Sequence, residues 1–495
     1  MSCRTIATAL LTLPANSTNV TIWLSTIGGA ALSACNQTLI GTAVTIGSFN
    51  CSASTTPTAC IAAEVNCAGC DSCFTTSATN TQLTLRGLTV TGSTGIAVQY
   101  SSSILLDHIT MTNHSGALIA NIPLDGTPSN ASGTLECTAC NFTDNILSSG
   151  GLVHSGPQAS LTSCRFERNS LLDSAELALI DLSVAGTESA IDVQLQYVNV
   201  TENDAGDQTL MISVHTMKAF SAIDSYFRNN RGGGIVVLWQ GDSQPVDSDA
   251  SLVRVQRSSW INNSAHYDSW GNLFVQGSNL ALVPVILQAQ DCEFRGNQAF
   301  TGGAISLFAA LQTGAALSME RCVFDGNVGR RSGGAISING FDPPRPFDSR
   351  ANQHGPCRSG RTDQPTVQVS ISLNNVSMTS NSAGLHGGAV SAFNLLGTGK
   401  WDMKSCLFDA NTAEAGGGAI SILSSLLAVN WSSTVFSSNS ANGSSDSGGA
   451  VRINQARSIT LSGLTFTNNS AIQGGAVSFG DAALRTIDVL SLIHI

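Results

Sequence analysis

Residues 291–308 read DCEFRGNQAFTGGAISLF, and residues 321–338 read RCVFDGNVGRRSGGAISI. The two stretches share a phenylalanine, an asparagine three residues later and a Gly-Gly-Ala-Ile sequence. Self-similarity at a period of about 20–50 residues is typical of repeat proteins, in which each unit packs only against its neighbours. The fold is therefore to be sought in this repeat and not in a division into globular domains.

The pair formed by an apolar residue and an asparagine three places later recurs eleven times, mostly 24–34 residues apart. The pairs are Phe142 and Asn145, Phe166 and Asn169, Val200 and Asn203, Phe227 and Asn230, Trp260 and Asn263, Phe294 and Asn297, Phe324 and Asn327, Met378 and Asn381, Phe408 and Asn411, Phe436 and Asn439, and Phe466 and Asn469. One spacing is longer, and it contains residues 341–366, which are rich in Pro, Arg and Asp. We expect an excursion loop there and a second one at residues 240–250.

A glycine pair followed by Ala-Ile or Ala-Val comes after most of these motifs. The pairs are Gly302 with Gly303, Gly333 with Gly334, Gly387 with Gly388, Gly417 with Gly418, Gly448 with Gly449, and Gly474 with Gly475. Glycine allows a positive φ at a sharp corner, and the following alanine suits a position without room for a larger group. The Ile or Val is then expected to begin the next inward-facing strand.

Short alternating runs such as LTLR at residues 83–86 have the period of two that marks a half-buried strand. If each repeat is one coil, the phenylalanines point inward and stack at the strand spacing of about 4.8 Å. The asparagines then form a ladder in which each side-chain amide bonds to the next. A period near 30 residues leaves room for about three short strands, whereas a β-propeller blade needs four. The sequence therefore predicts an all-β parallel β-helix with irregular coils, its sheets buried on one face.

Residues 1–82 are predicted to hold an N-terminal cap and cysteine-rich first coils, and residues 83–489 the β-helix repeats. Ser2–Ala15 has helical spacing and is expected to form a short capping helix. The last six residues, Leu490–Ile495, match the in-frame translation of a transposon-end sequencing adapter, so we treat them as an artefact. No stretch has the roughly 20 uninterrupted apolar residues of a membrane-spanning helix.

Composition excludes some partners. Charged residues make up 11% of the chain, and the formal net charge is −11 with no basic run. Nucleic-acid binding needs a Lys/Arg face that neutralises phosphates, and an anionic membrane surface needs the same, so both partners are disfavoured. The sequence does not indicate an oligomeric state.

Asn-x-Ser/Thr sequences are dense, as in a glycosylated extracellular protein, although Asn, Ser and Thr are common throughout this chain. The candidate glycosylation sites are Asn16, Asn19, Asn36, Asn113, Asn130, Asn199, Asn375, Asn430 and Asn442, and further matches occur at Asn50, Asn141, Asn262 and Asn468.

The 14 cysteines point to an oxidising compartment. Cys67, Cys70 and Cys73 lack the fourth ligand of a zinc site, and we favour disulfides among the first coils. Cys140, Cys164, Cys292 and Cys322 each lie two residues before an inward phenylalanine. Equivalent positions in adjacent coils are about 5 Å apart, so Cys140–Cys164 and Cys292–Cys322 are candidate disulfides or simply stacked thiols.

No catalytic, cofactor-binding or metal-binding constellation is evident. Asp107 and His108 are expected to be a solvent-facing pair beside inward Leu106 and Ile109. Asp242, Asp247 and Asp249 lack the spacing of a defined calcium loop. Glycosidic cleavage needs two paired carboxylates, and the sequence identifies none. The sequence leans against an enzyme and leaves the question open.

The combination of Phe-x-x-Asn with Gly-Gly-Ala-Ile/Val resembles the repeat of the chlamydial polymorphic membrane proteins and of related β-helix proteins in other bacteria and protists. The resemblance implies a right-handed helix, with the phenylalanines in the core stack and the glycine pairs at the corner. It also implies a passenger displayed on an outer membrane and acting in adhesion. This sequence has no alternating segments of a membrane barrel at its C-terminal end, and a secreted or surface protein of a protist fits equally well.

The leading functional hypothesis is a non-enzymatic extracellular or cell-surface protein that binds glycans or cell-surface proteins. One alternative is a polysaccharide lyase or glycoside hydrolase of the pectin-lyase-like type. A second is a structural component of a wall or sheath.

Overall fold

The computed structural model describes nearly all of residues 82–494 and several short segments before them. The earlier segments are 19–24, 32–33, 37–39, 43–48, 63–68, 70 and 72–76. The gaps after residue 82 are 101–102, 122–132, 149–150, 173–177, 184–189, 208, 216, 240–249, 267–270, 278–283, 309–313, 341–368, 396–398, 424, 444–447, 481–486 and 490–491. Every regular element in the described part of the chain is a β-strand.

The chain divides into two compact units. Unit 1 comprises residues 1–238 and 256–266, and unit 2 comprises residues 239–255 and 267–495. In each unit a coil passes through a strand of sheet A, a strand of sheet B, in many coils a short turn strand, and a strand of sheet C. Equivalent strands of successive coils pair in parallel, as Val285–Gln290 does with Ala315–Glu320. Each unit is therefore a right-handed parallel β-helix, as predicted.

The strands of unit 1 follow this order. Sheet A contains Asn19–Leu24, Ala43–Ser48, Gln82–Arg86, Ser103–Asp107, Thr134–Thr138, Gln158–Thr162, Ile191–Gln196 and Met217–Ile223. Sheet B contains Leu32–Ser33, Ala63–Asn66, Leu88–Thr91, Thr110–Thr112, Asn141–Thr143, Arg165–Glu167, Asn199–Thr201, Tyr226–Arg228 and Ser259–Ile261. Sheet C contains Gln37–Leu39, Ser72–Thr76, Ile96–Tyr100, Ile119–Asn121, Leu152–Ser155, Ile180–Ser183, Leu210–Val214 and Gly234–Trp239. The turn strands are Ile146–Leu147, Ser170–Leu171, Arg231–Gly232 and Ser264–Ala265.

Unit 2 repeats the arrangement. Its sheet A contains Ser251–Gln256, Val285–Gln290, Ala315–Glu320, Val369–Asn374, Gly399–Lys404, Leu427–Ser432, Ser458–Ser462 and Ile487–Val489. Sheet B contains Glu293–Arg295, Val323–Asp325, Ser377–Thr379, Leu407–Asp409, Val435–Ser437, Leu464–Thr467 and Leu492–His494. Sheet C contains Leu273–Gln276, Ile305–Phe308, Ile336–Asn339, Val390–Phe393, Ile420–Leu423, Val451–Ile453 and Val477–Phe479. The turn strands are Gln298–Thr301, Val328–Ser332, Ser382–Ala383, Thr412–Ala413 and Ser440–Ala441.

The core contains the predicted aromatic stack. Phe294 and Phe324 are fully buried and lie face to face with ring centroids 4.7 Å apart. Phe436 lies between Phe408 and Phe466 at 5.0 and 4.9 Å. These separations equal the strand spacing, so the parallel register alone brings the rings into contact.

The predicted asparagine ladder is also present. In each unit the side-chain amide of one ladder asparagine donates to the side-chain oxygen of the next, at 2.8–3.0 Å. The second amide hydrogen donates to the carbonyl of the preceding coil's inward residue, as Asn327 does to Phe294. The ladder thus satisfies polar groups that would be costly to bury alone.

The last rung of the ladder shows where burial ends. Asn439 is fully buried, and its amide donates to the Asn469 side-chain oxygen and to the Phe408 carbonyl, both at 2.9 Å. Asn469, in the next coil, is half-buried, whereas the other predicted ladder asparagines are buried. The ladder position therefore becomes partly accessible to solvent only at this end of unit 2.

Sequence reasoning missed the start of the ladder in unit 1. His114 occupies the ladder position before Asn145, and its backbone N–H donates to the Asn145 side-chain oxygen at 3.0 Å. Its Nε2 lies 2.9 Å from the Val90 carbonyl, and Nδ1 accepts from the backbone N–H of Ser93 at 3.1 Å. Burial lowers the pKa of His114 below its ordinary value, which favours the neutral ring. The apolar-x-x-polar spacing of Met111 and His114 was the available signal.

The corners confirm the role predicted for the first glycine of each pair. Gly302, Gly333, Gly387 and Gly417 have φ between 58° and 66°. Two further corners in many coils have a positive φ at residues of many types, such as Ala139 and Arg321. Sequence reasoning missed these corners because no single residue type marks them.

Sheet C departs from the prediction that the sheets are buried on one face only. Ile305–Phe308 is buried at all four positions, whereas Val285–Gln290 in sheet A alternates. The turn of the same coil covers the outer face of this sheet C strand, where the Ser306 hydroxyl donates to the Thr301 carbonyl at 2.6 Å. Doubly buried strands are expected wherever a second layer covers a parallel sheet.

Asp181, in sheet C of unit 1, is a buried carboxyl whose pKa desolvation raises to about 6. A native pKa above the unfolded value means that this group's contribution to stability is full below about pH 4 and is lost as pH rises through 6. We therefore expect Asp181→Asn to increase the free energy of unfolding at pH 8 by up to about 3 kcal/mol. Urea denaturation at pH 8 and at pH 4 checks this prediction. An equal effect at both pH values would show that the carboxyl's ionisation is not the cause.

Several predicted features lie outside the described residues. They are the Ser2–Ala15 helix, the loop at 341–366 and all but the last residue of the loop at 240–250. Within the last six residues, Leu492–His494 forms a strand beside Leu464–Phe466. The origin of residues 490–495 stays a prediction.

Candidate binding groove

A groove of about 350 Å³ lies along the turn strands of unit 2. Four successive coils line it with residues 328–330, 382–384, 412–414 and Asn442. Its volume is at the lower end of the range for small-molecule sites, about 300–1,000 Å³. This groove is the candidate binding site.

The register of the coils creates the groove. Val328, Ser382, Thr412 and Ser440 pair with one another as the first residues after their ladder asparagines. Two residues further on, the same column contains Arg330, Gly384, Glu414 and Asn442. Gly384 has no side chain, and a Cβ there would lie 2.1 Å from the Arg330 carbonyl oxygen. The neighbouring backbone therefore requires glycine here, and the column has no side chain between the arginine on one side and the glutamate on the other; we call this position the notch.

The groove offers mixed polar chemistry. Arg330, Glu414 and Asn442 are exposed, and the side chains of Ser382 and Thr412 are half-buried. With strands about 4.8 Å apart, the arginine and glutamate positions are separated by about 10 Å. A cation, a carboxylate, an amide and two hydroxyls at these positions suit a ligand with many hydrogen-bonding groups. Sequence reasoning missed the groove because its residues lie in four different coils.

Metal ligands and paired carboxylates were sought among the described residues. Among them, no group of three or more His, Cys, Asp or Glu side chains is arranged to hold a metal ion. Glu414 is the one carboxylate among the residues that line the groove, whereas glycosidic cleavage uses two. Asp242, Asp247 and Asp249 lie outside the described residues.

Asp107 and His108 form the surface pair that was expected. Leu106 and Ile109 are fully buried, whereas Asp107 and His108 are partly exposed. The Asp107 carboxylate lies 2.5 Å from His108 Nδ1 and 2.8 Å from Arg86 Nε. Arg86 belongs to the neighbouring coil, so the carboxylate links two coils in an ion pair.

The cysteines divide as follows. Cys67 and Cys73 form a disulfide, which confirms the expectation for the first coils. Cys140, Cys164, Cys292 and Cys322 are buried, reduced thiols, so the two predicted inter-coil disulfides are replaced by the stacked-thiol alternative.

The thiols act as hydrogen-bond donors. Cys140 Sγ lies 3.5 and 3.4 Å from the carbonyl oxygens of Leu106 and Thr138, and its one hydrogen is shared between these two acceptors. Ser225 occupies the equivalent position in a later coil, and its hydroxyl faces the corresponding carbonyl oxygens of Leu195 and Ile223 at 3.5 and 3.0 Å. The position therefore selects a small donor, which is a sufficient reason for the recurring cysteines.

Cys406 provides a test of this role, because its thiol faces the carbonyl oxygens of Leu373 and Lys404. Thr434, another small hydroxyl donor, follows it in the next coil. We expect Cys406→Ser to change the free energy of unfolding by less than about 1 kcal/mol. Burial raises the pKa of Cys406 to about 11, so the native wild-type thiol should resist alkylation at pH 7.5. Urea denaturation measures the change in the free energy of unfolding, and mass spectrometry after alkylation measures the reactivity of the thiol. A loss above about 3 kcal/mol would mean that the site requires an apolar group.

The candidate glycosylation sites lie in varied environments. Asn113, Asn375, Asn430 and Asn442 are exposed, and Asn199 is half-buried. Asn113 and Asn375 are also corner residues with positive φ, where asparagine is favoured for its backbone conformation alone. Asn19 begins a strand of sheet A, and Asn16, Asn36 and Asn130 lie outside the described residues. Their glycosylation stays a prediction.

Within the described residues no helix is long and apolar enough to cross a membrane. Compared with known proteins, the sequence matches no protein-family model and no curated protein. The likeness of its repeat to that of the polymorphic membrane proteins therefore stays a prediction, and the chain is assigned by its structure to the parallel β-helix fold.

Proposed function

We propose that this chain is a non-enzymatic extracellular or cell-surface β-helix protein that binds glycans through the groove of unit 2. The observation that carries the proposal is the notch at Gly384, between Arg330 and Glu414 and beside the hydroxyls of Ser382 and Thr412. Sugars present closely spaced hydroxyls that both donate and accept, and this set of side chains offers both roles. The Cys67–Cys73 disulfide supports an oxidising, extracellular location.

Titration of a panel of neutral and acidic oligosaccharides by calorimetry tests the proposal. We expect saturable binding of at least one oligosaccharide, weakened about tenfold by Arg330→Ala or Glu414→Gln, because each removes a charged hydrogen-bonding partner. Arg457→Ala removes an exposed arginine outside the groove and serves as the matched control. Equal affinities of the wild type and the three variants would mean that the oligosaccharide binds outside the groove.

The same samples separate the proposal from its alternatives. Release of unsaturated or reducing sugars during incubation would indicate the lyase or hydrolase alternative. The absence of any saturable ligand would favour a structural component of a wall or sheath. An adhesive role for the whole protein belongs to the same proposal, because solenoid surfaces are well suited to extended ligands.

A further inference from the structure

A cluster of basic side chains lies beside the groove in unit 2. Ser332 and Gly416 each pair with His386 in single parallel bridges, so three successive coils meet at this residue. Arg331 directly precedes Ser332 in the chain and is exposed. Arg452 comes from sheet C, and its guanidinium donates to the carbonyl of Ala415, the residue before Gly416, at 3.1 Å. Arg331, His386 and Arg452 thus converge on one turn, and we call them the basic cluster.

The cluster is unusual for this chain. The formal net charge is −11, and the arginines at other corners pair with carboxylates of neighbouring coils. Arg321 binds Asp291 through two hydrogen bonds at 2.6 and 3.0 Å, and Arg257 binds Asp224 at 2.7 and 2.8 Å. None of the residues that pair with His386 or Arg452 in the neighbouring coils is a carboxylate. His386 pairs with Ser332 and Gly416. Arg452 pairs with Ser421 and Ser478.

His386 is the member of the cluster that depends on pH. Its Nδ1 is buried and has no hydrogen-bond partner. Burial, followed by the positive charges of Arg452 and Arg331, lowers the pKa of His386 from its ordinary value. The ring is therefore neutral at pH 7, and a bound anion would favour its protonation by offsetting the two arginines. The other charged groups of this turn, within the described residues, are Arg330 and Glu414 of the groove.

We propose that the basic cluster binds the carboxylate or sulfate groups of acidic glycans, so that the ligand of the groove is an anionic polysaccharide. The inference rests on the proposed glycan-binding function and names its ligand class. Arginine forms strong, charge-assisted hydrogen bonds with oxyanions of this kind. Because Gly384 in the groove and His386 in the cluster are two residues apart, one chain of sugars can contact both.

The experiment compares a heparin oligosaccharide, an oligogalacturonate and a neutral malto-oligosaccharide by calorimetry at pH 5.5 and 7.5. We expect the two acidic ligands to bind at least about tenfold more tightly than the neutral one, and more tightly at pH 5.5 than at pH 7.5. Arg331→Ala should remove most of this preference, and His386→Gln should remove the pH dependence. Lys404→Ala, an exposed cation on sheet A, is the matched control and should leave both unchanged.

Inorganic sulfate provides a second measurement that needs no glycan. Sulfate should raise the melting temperature of the wild type more than that of Arg331→Glu at the same concentration, because its general stabilising effect acts on both proteins and only the wild type also binds it. If oligosaccharides bind but Arg331 and His386 variants behave as the wild type, the cluster is not the anion site and the proposed function stands. If no oligosaccharide binds, the proposed function fails, and the sulfate shift alone then supports or overturns the anion site. Equal shifts of the melting temperature by sulfate in the wild type and in Arg331→Glu overturn it.

Discussion

Asn381→Ala is expected to lower the free energy of unfolding by about 4–6 kcal/mol, because it opens the asparagine ladder in the middle of unit 2. Asn381 donates its amide hydrogens to Asn411 and to the Phe324 carbonyl at 2.9 and 3.0 Å. Its side-chain oxygen accepts from the backbone and side-chain nitrogens of Asn327 at 3.0 and 2.9 Å. Alanine leaves those donors and acceptors buried without partners.

Urea denaturation followed by circular dichroism measures the loss. Asn374→Ala removes an exposed asparagine from sheet A of the same coil and is expected to cost less than about 0.5 kcal/mol. Asn381→Asp keeps the shape but replaces the donating amide with a carboxylate, so it should be more destabilising at pH 7 than at pH 4, where the carboxyl is protonated. A cost below about 1 kcal/mol for Asn381→Ala would mean that water replaces the ladder contacts.

The repeat made the core of the coil predictable. Phe294 and Asn297 have the same spacing as their equivalents in the other coils, and Gly302 belongs to a recurring Gly-Gly-Ala sequence. A parallel stack converts each recurring position into a column of similar contacts. The aromatic stack, the asparagine ladder and the first glycine's positive φ therefore followed from the sequence.

Features that depend on unlike residues from different coils did not follow. The notch at Gly384 requires Arg330 on one side and Glu414 on the other, and a segment of variable length separates the first two. These positions all lie three residues beyond a ladder asparagine, so the sequence is sufficient to align them. It does not show that their side chains line a groove, which requires their positions in space. The prediction of the two inter-coil disulfides was wrong for another reason. Two cysteines at equivalent positions of adjacent coils can form a disulfide, but each thiol can also donate a hydrogen bond to a carbonyl.

Gly388→Ala is expected to prevent unit 2 from folding or to cost more than about 4 kcal/mol, although it adds one methyl group. A Cβ at this position would lie 2.1 Å from the carbonyl oxygen of Gly418 and 2.4 Å from that of Thr412. Both obstacles are backbone atoms of the neighbouring coil, which cannot move without breaking the parallel ladder. Gly418 is in the same position against Gly449, so the second glycine of each pair except the last is selected by the distance between coils and not by its own φ.

Gly326→Asn is the matched control, since it replaces a glycine with positive φ that has open space around it. Gly326 has φ of 61° and no atom within 4 Å of the place that a Cβ would take, and Ser380, Ala410 and Ser438 adopt φ near 54° at the same corner of the following coils. We therefore expect a cost of about 1 kcal/mol or less. Soluble yield, limited proteolysis and urea denaturation compare the two variants. Equal stability of Gly388→Ala and Gly326→Asn would contradict this prediction. It would mean that the coils separate locally to admit the methyl group, and that the close stacking of the glycine pairs does not restrict which residue can occupy this corner.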